Sequence, residues 1–82
     1  MRLDLFLKTA RLVRRRAVAK ALCDEGRVFI DGRPAKAGAV VQPGQTIAVR
    51  FGERTLRVRV KAVPASKAAD PAELVERLDD ER

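Results

Sequence analysis

The chain has no histidine, no tryptophan and no tyrosine, a single cysteine, and three aromatic residues, Phe6, Phe29 and Phe51. Each shortage removes a class of function. One cysteine, Cys23, forbids an internal disulfide and, without histidine, removes the usual zinc ligand sets. Cys23 therefore reads as a small buried hydrophobe. Acid–base or covalent catalysis needs a poised group with a positioned partner. The hydroxyls here are confined to Thr9, Thr46, Thr55 and Ser66, and no glycine-rich phosphate loop is present. The acids of the basic body, Asp4, Asp24, Glu25, Asp31 and Glu53, each have a structural task at a helix end or a turn. No enzyme, no cofactor and no metal are expected. The short apolar stretch at the start is interrupted by Asp4 and Lys8, so neither a signal peptide nor a membrane span is read there. The missing interfacial aromatics argue against a membrane partner. A cytoplasmic protein is expected.

What is abundant is positive charge, unevenly spread. Residues 1–67 hold sixteen Lys/Arg against five Asp/Glu, a balance of +11, whereas residues 68–82 hold two against six, a balance of −4. A body this basic suits a polyanion. Seven cations fall within the first twenty residues: Arg2, Lys8, Arg11, Arg14, Arg15, Arg16 and Lys20. A charge run is ordinarily a solvated face. Here Asp4 is the one acid available to offset it in that stretch, and a phosphate backbone is what relieves the self-repulsion.

The hydrophobic pattern outlines the fold. Leu3, Phe6, Leu7 and Ala10 follow helical spacing, with Asp4 in the first turn. Leu12, Ala19, Leu22 and Cys23 mark a second stripe, on a helix from about Arg15 to Glu25 that stops at Gly26. On such a helix Arg14 to Arg16 splay around most of the circumference, so not all face one ligand, and the helix N-terminus offers free amides. The period then changes. Arg27 to Ile30 is a β run closed by the tight-turn pair Asp31-Gly32, and Pro43-Gly44 marks another turn. Ile47, Val49 and Phe51, then Leu56, Val58, Val60 and Ala62, alternate with polar residues about Gly52-Glu53. That hairpin has one apolar and one cationic face. Residues 64–69 read as a linker, and Asp70-Pro71-Ala72-Glu73 as a capping box opening a short helix. The expectation is an α+β fold of two short N-terminal helices packed on a small, mostly antiparallel sheet, with a short C-terminal helix or tail. Residues 1–63 are expected to form the domain that meets the polyanion, and 64–82 a linker and acidic C-terminal helix or tail.

The nucleic acid follows from what the helices and aromatics offer. The second helix has no Asn or Gln, which disfavours reading DNA bases in a major groove. The phenylalanines serve the core in this reading, with Phe29 partly exposed, which disfavours single-strand stacking. Structured RNA, recognised by shape and phosphate, fits best.

The segments RLDLFLK (2–8), RRRAVAKAL (14–22), EGRVFIDGRPAK (25–36) and VQPGQTIAVRF (41–51) resemble the small RNA-binding domain first described in the fourth protein of the small ribosomal subunit, with its core over residues 2–52. The start MRLDLFLKTARLVRRRAVAK and the second hairpin resemble the RqcP family of ribosome-associated quality-control factors. The resemblance implies a helical RNA-binding motif whose contacts carry over onto Arg2, Lys8, Arg16, Lys20 and Lys36. It implies the large ribosomal subunit, its rRNA and peptidyl-tRNA as partners, with an alanine-tailing factor joining them, and a protein that is monomeric off the ribosome. The implied function is to bind structured RNA on stalled large subunits and support alanine tailing of the nascent chain. Two other readings are a general rRNA- or tRNA-binding module and an accessory domain of an RNA-modifying enzyme. The latter is disfavoured because the chain ends before a catalytic domain fits. In place of the Asn common before the first hairpin glycine the chain has Asp31, whose carboxylate is not expected to touch phosphate.

Overall fold

The computed structural model describes residues 1–63 and 71–78. The linker read at 64–69 and Asp70 of the capping box lie outside the described residues. The first stripe becomes α1 (Leu3–Thr9) and the second α2 (Arg16–Asp24). They are followed by β1 (Val28–Ile30), β2 (Arg33–Pro34), β3 (Thr46–Phe51), β4 (Arg54–Val60), α3 (Pro71–Leu74) and β5 (Val75–Arg77). The five strands form one sheet in the order β2-β1-β3-β4-β5, every pairing antiparallel. The fold class read from the sequence is the one observed.

Turn chemistry sets the register. β1 and β2 are joined through Asp31-Gly32, with Ile30 opposite Arg33. Both turn residues have positive φ, 52° at Asp31 and 85° at Gly32, the two-residue turn whose twist matches the strands. The Asp31 carboxylate accepts the Thr46 amide at 2.9 Å and so ties this turn to the start of β3.

Alternation along β3 and β4 then sorts side chains between two faces. Val28, Ile47, Val49, Val58 and Val60 are buried with Leu3, Phe6, Leu7, Ala10, Val13, Ala19 and Cys23 of the helical segment. Phe29, Thr46, Ala48, Arg50, Thr55, Arg57 and Arg59 stand on the other face, half-buried or exposed. Cys23 is buried, and burial pushes its thiol up to about 11, so it is a packed hydrophobe and is protonated at neutral pH.

Two of the three aromatics stand as expected, and Phe51 does not. Phe6 is fully buried, Phe29 is half-buried on the outer face, and Phe51 is 39% exposed. Phe51 pairs with Arg54 at the hairpin tip, beyond the row of Val49 and Leu56 where the core ends. Ala62 is likewise exposed, because β4 stops at Val60 and the chain leaves the sheet.

The sequence pattern indicated a helix near Leu74 but no strand after it. α3 is a single turn, and the chain then pairs with β4, Val75 opposite Val60 and Arg77 opposite Val58. The Leu74 carbonyl accepts the Lys61 amide at 2.7 Å, and the Leu74 side chain is buried in the core. This segment therefore completes the sheet edge. Leu74→Ala is expected to lower unfolding free energy by about 2–3 kcal/mol, the low end of the range for a truncated core leucine. Urea denaturation measures it, and a loss under about 0.5 kcal/mol would show that the segment merely rests on the surface.

Candidate nucleic-acid interface

The basic surface is organised around a buried acid. Asp4 is 3% exposed although it lies in the first turn of α1. Its Oδ1 accepts the Leu5 amide at 2.8 Å and Arg2 Nε at 3.3 Å; its Oδ2 accepts Arg16 Nε at 3.3 Å. Burial alone pushes the Asp4 carboxyl up, but the Arg16 hydrogen bond, the Leu5 amide and Arg2 together outweigh it and hold the group below its ordinary value. One carboxylate thus draws together two arginines fourteen positions apart in the chain, each about half exposed.

The same end of the molecule is pinned by the backbone. The Leu3 and Asp4 amides, free at a helix start, donate to Ala39 O at 2.8 Å and Ala37 O at 3.1 Å. The Val41 amide donates to Met1 O, and Arg2 bridges Val40. This zipper carries the loop of Lys36 to the start of α1, where the Arg2 guanidinium lies over Gly38. Lys20, one turn beyond Arg16, is held by Asp24 at 2.9 Å, and that bond raises its pKa.

Arg14 lies in the bend before the second helix, and Arg15, read from the sequence as its approximate start, stands one residue outside it. Arg15 is its N-cap in an extended conformation, and the helix begins at Arg16. The arginines therefore line the approach to the helix instead of surrounding it. Arg15 offers no side-chain cap, and among the described residues the Arg16 and Ala17 amides have no acceptor. Free amides at a positive helix end, flanked by guanidinium groups, are suited to phosphate oxygens. Lys8 and Arg11 lie apart from Arg16, lining with Leu5 and Thr9 a shallow concavity of about 190 Å³.

Arg11 is held in a strained backbone. Both helices end alike. Leu12 and Arg11 amides return to Leu7 and Lys8 carbonyls after α1, and Arg27 and Gly26 amides return to Leu22 and Cys23 carbonyls after α2. The residue at the left-handed position is Gly26 (φ 75°) in one and Arg11 (φ 60°) in the other. Glycine is the usual occupant, and a side chain there is disfavoured by about 1–2 kcal/mol.

The eight residues singled out in the sequence are all exposed. The structure joins Arg2 and Arg16 about Asp4, sets Lys20 one turn beyond Arg16 in a pair with Asp24, brings the Lys36 loop to Arg2, and leaves Lys8 and Arg11 as a second group. Asp4 itself was missed as a site residue; its being the lone acid among seven cations was the available signal.

Two helices on an antiparallel sheet, with arginines gathered where both helices begin, define a small α+β domain with one strongly basic end. The chain belongs to the S4-domain family, whose description matches residues 1–47. It is similar to the RQC P-site tRNA stabilizing factor of Bacillus subtilis, 41% identical over 100% of this chain and 96% of that protein. It is also similar to the RQC P-site tRNA stabilizing factor of Halalkalibacterium halodurans, 46% identical over 77% of this chain and 72% of that one. The fold is shared with the trimeric structure of Vibrio cholerae heat shock protein 15, with a TM-score of 0.85 at 24% identity, covering 95% of this chain and 81% of that one.

Two outcomes follow from the geometry. Asp4→Asn is expected to cost about 1–2 kcal/mol at neutral pH, the scale of charged hydrogen bonds with half-exposed partners. A carboxylate whose folded pKa is depressed stabilises the fold above its unfolded pKa, and that gain is lost as pH falls through the folded value. The wild-type advantage should therefore be complete well above the ordinary 3.8 and fade below it. Urea midpoints measured from about pH 7 down to about pH 2 trace this, and a gap unchanged at the acid end would exclude ionisation as its source. Arg11→Gly, in contrast, should leave stability unchanged or raise it by up to about 1 kcal/mol while weakening RNA binding. A thermal melt and an RNA titration of the same variant decide this, and a clear loss of stability would contradict the strain argument.

Proposed function

We propose that the chain is an RNA-binding factor of the large ribosomal subunit that uses the face built by Arg2, Lys8, Arg11, Arg14, Arg15, Arg16, Lys20 and Lys36. In this reading, residues 1–63 hold the RNA contacts, with residues 64–82 as an appended segment. It binds large-subunit rRNA and tRNA on stalled subunits carrying peptidyl-tRNA, in the cytoplasm, and supports alanine tailing of the nascent chain alongside the tailing factor. Off the ribosome it is a monomer. The observation that carries this reading is the Asp4 cluster, which fixes Arg2 and Arg16 at a surface where the first amides of α2 have no acceptor among the described residues. Groups positioned before binding lose less freedom on meeting a phosphate backbone. The likeness to RQC P-site tRNA stabilizing factors supports the choice of partner.

The protein recovered from cells with stalled translation is expected to bring down free large subunits bearing peptidyl-tRNA. Uniform association with all ribosomes would point instead to a general rRNA- or tRNA-binding module. In titrations on large subunits, Arg16→Ala should weaken binding by about 1–3 kcal/mol. The same change should destabilise the fold by no more than about 1 kcal/mol, because Asp4 keeps Arg2 and the Leu5 amide and water screens the lost pair. With five to eight phosphates contacted, log affinity should fall against log salt with a slope of roughly −4 to −7. A slope shallower than about −2 would remove phosphate contact as the main source of affinity.

A further inference from the structure

The helices cover one face of the sheet and leave the other bare. On that bare face Phe29, Ala48 and Arg57 stand in one cross-strand row, since Phe29 pairs with Ala48 and Ala48 with Arg57. Together with Gly32, Thr46, Arg50 and Thr55 they line a concavity of about 490 Å³, within the ~300–1,000 Å³ span of small-ligand sites. Its floor is a half-buried aromatic beside an alanine, so the ring is not overgrown by a bulky neighbour. Its walls are two threonine hydroxyls and two exposed guanidinium groups. Among the described residues Arg50, Arg57 and Arg59 form no ion pair. Among the described residues the acids nearest this face sit at its margins: Asp31 in the β1–β2 turn, its carboxylate engaged by the Thr46 amide, Glu53 in the β3–β4 turn, and Glu76 on β5 opposite Arg59.

Arg50 and Arg57, which line the concavity and have no ion pair among the described residues, repel one another, and the occupant that balances them is an anion. A flat apolar ring at the centre asks that this anion also carry a flat face. We infer that the outer sheet face is a second RNA-binding site, taking an unpaired segment whose base stacks on Phe29. The flanking phosphates lie against Arg50 and Arg57, on the side away from Asp31. Aromatic stacking on an open sheet with cations tracking the backbone is how single strands are held without base-specific bonds. The site is separate from the helical face around Asp4 and does not rest on it.

The test is an amide NMR titration of the full chain with a single-stranded oligouridine of about eight nucleotides and with an abasic oligomer of the same length and charge. Saturable shifts are expected at Phe29, Thr46, Ala48, Arg50, Thr55 and Arg57, with tighter binding of the oligomer that carries bases. Phe29→Leu keeps apolar bulk but removes the ring face, and should weaken oligouridine binding roughly five- to hundredfold with little change for the abasic strand. Arg57→Gln should make the salt slope shallower by about 0.7, one phosphate on a single strand. Thermal melts of both variants establish that they are folded. Equal affinity for the two oligomers overturns the inference. So do shifts confined to residues 2–20 and 36, an outcome that leaves the helical-face reading standing.

Discussion

A carboxylate taken out of water must be neutralised or surrounded by donors, and Asp4 is surrounded. It sits in the first turn of α1 with an amide from its own helix and guanidinium groups from both sides. That requirement orients much of the basic end. Arg2 is drawn back over Gly38, and Arg16 is drawn from the start of α2 toward α1. Charges that would otherwise repel are held together by one opposite charge that solvent reaches poorly. The arginines keep their outer ends exposed, so the arrangement neutralises the acid without using up the cations.

The frame around this cluster is made of short elements that would not persist alone. α1 has seven residues and α2 nine, both under the length at which an isolated helix holds in water. They persist because Leu3, Phe6, Leu7, Ala19 and Cys23 share a core with the inner face of the sheet. The loop at 37–41 holds the start of α1, since its Ala39 and Ala37 carbonyls take the Leu3 and Asp4 amides that the helix leaves free. At the far edge Leu74 and β5 close the sheet beside β4. A chain this small has little core to spare, so the return of residues 71–78 to the sheet adds apolar burial, at Leu74 above all, that the first sixty-three residues do not supply.

Strain and exposed charge coincide at the basic end. The left-handed turn after α2 is occupied by Gly26, the residue that takes it freely, whereas the equivalent turn after α1 is occupied by Arg11. Local stability favours glycine at both. Keeping a guanidinium at the second position sacrifices stability for a cation beside Lys8. The bare side of the sheet shows the same tension, with Arg50, Arg57 and Arg59 on adjacent strands around a half-covered phenylalanine.

The two helical stripes, the Asp31-Gly32 turn, the β3–β4 hairpin with its apolar and cationic faces, and the density of cations in residues 1–20 were all legible in the sequence. Each depends on neighbours within one turn or one hairpin, so periodicity and turn chemistry decide it locally. The sequence pattern did not reveal that Asp4 is buried, that it joins Arg2 to a residue twelve positions beyond itself, or that Phe29 and Arg57 line one concavity from either side of β3. Nor did it show that Leu74 enters the core and is followed by a strand. Those features depend on which distant segments the core brings side by side. Asp4 illustrates the difference: its first-turn position is set by local spacing, but its burial and both arginine partners follow from the packing of α1 against α2 and the loop at 37–41.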